Sequence, residues 1–154
     1  MAVTIGYLTR MSTLLTVELV PSPLWELNLR SLIPAEQWGQ FRHAAYQAAG
    51  YRCQICDGIG PAHPVECHEL WEYDDERGVQ KLVGLIALCP ACHEVKHAGL
   101  AKIRGRSDKV LARLMAINDW SAQQARDHLA QAFATHSRRS KEVWTQDLSW
   151  LDDK

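Results

Sequence analysis

Apolar and β-branched residues crowd positions 14–20 (LLTVELV) until Pro21 and Pro23 interrupt them, a pattern that predicts a strand stopped by the prolines. Residues 24–33 show no period, and Trp25 is expected to lodge in the core. Trp38, Phe41 and Ala45 then recur at helical spacing, predicting a helix with Pro34 at its first position and Gly50 as its stop. In the centre, residues 64–70 read as a short strand and 72–78 (EYDDERG) as an acidic loop. The apolar run at 81–88 (KLVGLIAL) reads as a buried strand, and 94–99 as helical. Further on, Val110, Leu111, Leu114 and Ile117 form the apolar stripe of a helix over 108–118. Ser121 and Gln124 form a capping box for a second helix running to about Arg138. Residues 144–151 put Leu148 and Trp150 on one face of an expected strand that pairs with 14–20. Residues 1–12 read as a disordered tail, with Met11 an alternative start. Residues 13–154 read as one α+β domain, with a cysteine-bearing core at about 51–99 and a helical extension at 107–140.

Composition narrows the class. The chain has 154 residues, 47% hydrophobic and 23% charged, enough apolar material for a core and too much for global disorder. A formal net charge of −1 excludes a generally basic nucleic-acid coat protein, though not a local basic face. No run reaches the roughly 18 apolar residues of a membrane span. Arg10 interrupts the apolar N-terminal stretch, and there is no small-residue cleavage pattern, so no secretory signal is expected.

The cysteines carry most of the information. There are five (Cys53, Cys56, Cys67, Cys89 and Cys92), and an odd count with two C-x-x-C pairs argues for a reducing, cytoplasmic setting rather than a disulfide framework. Two residues between cysteines let one turn present both sulfurs to one ion, so Cys53, Cys56, Cys89 and Cys92 are expected to hold a structural zinc ion tetrahedrally. His63, His68, His93 and His97 fall within the same stretch. His93 and His97 are four apart, so both imidazoles project from one face of the expected helix, while Cys92 turns towards the zinc site. Cys67 and His68 are neighbours on a strand, and alternation sends them in opposite directions.

The pieces YRCQIC, VECHELW and LIALCPACHEVKH resemble the cysteine-bearing branch of the HNH endonucleases, whose core is a treble-clef, ββα-metal finger. The resemblance covers about Arg52 to His97, less than a third of the chain. By matching positions it implies Cys67 as a metal ligand and His68 as the general base. It further implies His93 and His97 as ligands of a second divalent ion (zinc, manganese, nickel or magnesium). Gly84 occupies the place of the family's middle Asn and cannot supply its amide. A thiolate at Cys67 biases the second site towards zinc and away from magnesium. Glu66 or Glu69 could orient His68, whereas His63, just before Pro64, reads as a loop histidine.

The resemblance implies hydrolysis of phosphodiester bonds in DNA, with His68 taking a proton from the attacking water. Lys102, Arg104 and Arg106, in AKIRGR just after the metal helix, are candidate phosphate contacts, and Lys96, Lys109 and Arg113 add to this basic stretch. The acidic loop at 72–76 stands against nucleic-acid binding unless it points away. Two other readings stay open. One is a non-catalytic zinc module that binds nucleic acid or protein; the other is a closed structural site built from Cys67, His68, His93 and His97.

Overall fold

In a computed structural model, residues 14–154 are described, and the tail expected at 1–12 lies outside them. The architecture is mixed α and β, with three strands in the order β1-β2-β3. β1 (Glu66–Asp74) and β2 (Val79–Leu88) form an antiparallel hairpin in which Glu66 faces Leu88 and Asp74 faces Val79. The acidic stretch is therefore divided: residues 72–74 end β1 and residues 75–78 make the turn. Gly78 lies at φ +65°, and a Cβ there would approach the Val143 carbonyl oxygen to 2.5 Å, so glycine is required on both grounds. Leu70 faces Gly84 but Trp71 faces Leu82, which leaves Val83 as the extra residue of a bulge.

The period of two gives the hairpin two apolar faces. Cys67 and Trp71 pack with Leu82 and Leu85 against Leu29, Ala45, Trp38 and Phe41, which come from α1 (Leu29–Leu32) and α2 (Ala35–Ala48). Leu70, Ile86 and Leu88 belong to the other cluster, built with α3 (Pro90–Lys96), α4 (Ala98–Ile103), α5 (Ser107–Asn118) and α6 (Ala122–Arg139). The capping box stands as read: Ser121 Oγ accepts from Gln124 N–H at 3.1 Å while Gln124 Oε1 accepts from Ser121 N–H at 2.8 Å. No helix among the described residues is long and apolar enough to cross a membrane.

Several local expectations are corrected. Residues 14–20 are not a strand. Leu15 and Val17 are buried as expected of apolar residues, but their backbone is satisfied by side chains. Asn118 both accepts from Leu15 N–H and donates to Leu15 C=O, each at 2.7 Å, and His128 Nε2 accepts from Val17 N–H at 2.9 Å. The closing strand is β3 (Thr145–Asp147), which pairs parallel with Val79, Gln80 and Lys81 rather than with 14–20; Ser149–Asp153 is a 3-10 turn. Trp25 is 60% exposed, with its indole N–H on the Val20 carbonyl and its ring stacked on His136. Pro34 is the N-cap of α2 and not its first turn. The helix expected at 94–99 begins at Pro90 and breaks at His97, after which α4 continues.

Candidate metal centres

Each cysteine pair is placed by local backbone chemistry. The first turn closes through Cys53 N–H on Gly58 C=O at 2.9 Å. It is pinned to the end of β2 by Gln54, whose N–H reaches Ala87 C=O at 3.0 Å while its Oε1 accepts from Ala87 N–H at 2.8 Å. Its sulfurs accept backbone donors: Cys56 N–H points at Cys53 Sγ (3.5 Å) and Gly58 N–H at Cys56 Sγ (3.3 Å). The second pair begins as β2 ends. Cys89 caps α3, Pro90 opens it, and Cys92 lies inside its first turn.

The sulfurs of Cys53, Cys56, Cys89 and Cys92 all lie within 4.8 Å of one another, and the Cys56–Cys89 pair is 3.7 Å apart. A tetrahedron with Zn–S bonds of about 2.3 Å has edges of about 3.8 Å. The donor set and spacing therefore fit a tetrathiolate metal ion such as zinc. The hydrogen bond between Cys53 and Cys92 lowers the Cys53 thiol against the effect of burial and raises that of Cys92.

The second cluster is different from the expected one. Ring nitrogens of His68, His93 and His97 lie within 4.8 Å of one another. The His68 ring sits 5.2 Å from that of His93 and 5.3 Å from that of His97, and the two helix histidines approach to 3.0 Å between their Nε2 atoms. Cys67 is not among them. It projects from the opposite face of β1 into the apolar cluster around Leu29 and Leu82, where burial pushes its thiol up to about 12. Strand alternation separates the neighbours as the sequence implied. It is His68, though, that meets the helix, so no closed site forms from Cys67 and the three histidines.

Glu66 orients His93, not His68. Its Oε2 lies 2.7 Å from His93 Nδ1 and its Oε1 3.1 Å from His63 Nε2. A carboxylate only accepts, so His93 Nδ1 donates to Glu66 and His93 Nε2 is turned towards His97. Burial opposes the charge on Glu66, but its bonds to His93 and His63 outweigh that and hold it below the usual carboxylate range. His68 is driven well below the ordinary imidazole range by burial and by its histidine neighbours, and His97 is brought to about 4 by desolvation of its ring and by His93. Three imidazole nitrogens in one cluster suit zinc, nickel, cobalt or copper and suit magnesium poorly. Glu66→Gln is expected to weaken metal binding there by roughly 10- to 100-fold while the four-cysteine site stays loaded. Zinc titration read by calorimetry measures this, and an unchanged affinity would remove Glu66 from the site.

The remaining candidates disperse. Glu69 holds the fold together: its carboxylate accepts from Leu29 N–H at 2.8 Å and from the Trp71 indole at 3.3 Å, and burial raises its pKa. A Cβ on buried Gly84 would meet Leu70 Cδ1 at 3.7 Å, an ordinary contact. Lys102 sits over the Phe133 ring and Arg106 grips the Glu94 carboxylate with two nitrogens, whereas Arg104 is exposed with no partner among the described residues. Lys96 is buried, donating to Glu18 at 2.9 Å. The acidic turn is tied to the end of α6, since Asp75 binds Arg139 at 2.8 and 2.9 Å. Two participants had no local signal. His63 reads as a loop histidine until Glu66 joins it to His93, and Arg113 is a helix cation until α5 packs beside the sulfurs.

No model of a known protein family, no curated protein and no solved structure matches this chain.

Proposed function

We propose that this chain is a metal-dependent endonuclease of HNH type that hydrolyses phosphodiester bonds in DNA. In this reading the β1–β2 hairpin and α3 form a treble-clef, ββα-metal core, with zinc held structurally by Cys53, Cys56, Cys89 and Cys92. The observation that carries the reading is the convergence of His68 from β1 with His93 from α3 and His97 from the break between α3 and α4. Three protein donors with a solvent-exposed member, His97, suit a catalytic ion that keeps a position open. An ion there would act as a Lewis acid on a phosphoryl oxygen and as an activator of the attacking water.

The chain's own residues divide the remaining work. His68, His93 and His97 hold the ion, which moves His68 from the role of base to that of ligand. Glu66 fixes the tautomer and direction of His93. Arg104, exposed at the end of α4 and close in sequence to His97, is the best placed of the basic residues to meet a backbone phosphate. Lys102 and Arg106 would have to leave Phe133 and Glu94 to join it.

Nicking of supercoiled plasmid tests this. Zinc, nickel or manganese is expected to support nicking, magnesium least, and a chelator to abolish it. The second reading, a non-catalytic zinc module, is favoured by Gly84 in the Asn position and by the commitment of both Glu66 and Glu69 to other partners. A chain loaded at both centres that nicks nothing with any of these ions would establish it.

A further inference from the structure

We propose that Arg113 is the counter-charge and hydrogen-bond cap of the four-cysteine metal centre, and that it sets how tightly the centre retains its ion. The proposal rests on the reading of those cysteines as metal ligands. Arg113 lies on α5, away from both cysteine turns in sequence, yet one terminal guanidinium nitrogen reaches three sulfurs: Cys56 at 3.2 Å, Cys92 at 3.4 Å and Cys89 at 3.6 Å. A single donor group therefore spans one face of the sulfur tetrahedron and bridges both turns.

Three independent features give this contact its weight. First, a divalent ion with four thiolates carries a net charge of −2, and this one lies against Leu88, Val95 and Leu114 in the apolar core, where uncompensated charge is costly. A guanidinium on the cluster halves that charge. Second, among the described residues the backbone donors that reach a sulfur serve the first turn, at Cys53 and Cys56. Among the described residues, Arg113 is the hydrogen-bond donor that reaches Cys89 and Cys92. Third, the Arg113 Nε is buried with no hydrogen-bond partner among the described residues. A surface arginine would turn that group to water; here the side chain stays because its other end is bound to the sulfurs.

Hydrogen bonds to a thiolate draw electron density from sulfur, so removing them should both weaken retention and move the electronic spectrum of a bound transition metal. The test uses the full chain, once loaded with cobalt(II) for spectroscopy and once with zinc for exchange. Arg113→Met keeps the aliphatic stem and removes the donors. Its sulfur-to-cobalt charge-transfer band is expected at lower energy than in the wild type, and its zinc is expected to pass to a chelator roughly ten-fold faster or more. A merely structural arginine would not move the band. If the Met variant does not fold, Arg113→Gln, neutral but polar, carries the same two measurements. Wild-type band position and wild-type zinc loss in whichever variant folds would overturn the proposal. A wild-type chain that takes up cobalt with no thiolate band at all would overturn the four-cysteine reading itself, and this proposal with it.

Discussion

If Cys53, Cys56, Cys89 and Cys92 hold a structural zinc ion as proposed, replacing Cys53 or Cys89 by serine is expected to remove it and unfold the central region of the chain. Each residue belongs to a different turn, so either loss breaks the four-sulfur bridge between the loop before β1 and the start of α3. Structural zinc contributes about 10–16 kcal/mol in small zinc modules. A domain's whole net stability is typically about 5–15 kcal/mol. Removing one ligand therefore takes away an amount comparable with the total. Elemental analysis should show one zinc fewer per chain, and thermal melts followed by circular dichroism should lose their cooperativity. Cys67→Ser is the control: its thiol sits in the apolar cluster with Leu29 and Leu82, so that variant should keep its metal and lose only about 1–3 kcal/mol for a buried hydroxyl. Full zinc content with a cooperative melt in the Cys53 or Cys89 variant would refute the tetrathiolate site.

On the proposed reading, His68→Ala is expected to lose the second metal ion and DNA cleavage together, and His97→Ala is expected to do the same. The reason is geometric: the His68 ring lies as close to His93 and His97 as ligands of one ion must, at 5.2 and 5.3 Å between ring centres. Were His68 only a proton acceptor beside the site, its removal would abolish cleavage and leave metal content intact. Counting metal per chain in the wild type and both variants, beside a plasmid assay, separates the two roles. The expected counts are two ions for the wild type and one for each variant, with cleavage at the background of chelated protein. Two ions in the His68 variant would return that residue to the role of base. The cysteine variants report on folding and the histidine variants on chemistry, so failure of one prediction leaves the other standing.

Much of this was legible in the sequence because the signals are short-range. The C-x-x-C turns, the hairpin with its apolar second strand, the Ser121–Gln124 capping box and the stripe on α5 each depend on residues within a few positions of one another. Those interactions are made wherever the rest of the chain goes. The misreadings share the opposite property. Residues 14–20 have the composition of a strand, but their hydrogen bonds go to Asn118 and His128, more than a hundred positions away. Trp25 is a core residue by type, but α1 and α2 fill the available face of the sheet without it.

The candidate site divides along the same line. Sequence by itself determined that four cysteines come in two matched turns, that His93 and His97 lie one turn apart on the same side of the chain, and that Cys67 and His68 point apart, since each is set by residues a few positions away. Only the tertiary structure decided which of Cys67 and His68 faces α3. That depends on how the hairpin lies between its two helical layers, and the apolar partners of both faces settle it together. It also decided that Glu66 serves His93 and that Arg113 reaches the sulfurs. Side chains as long as these find their partners by packing between elements, and no local pattern records where those elements come to rest.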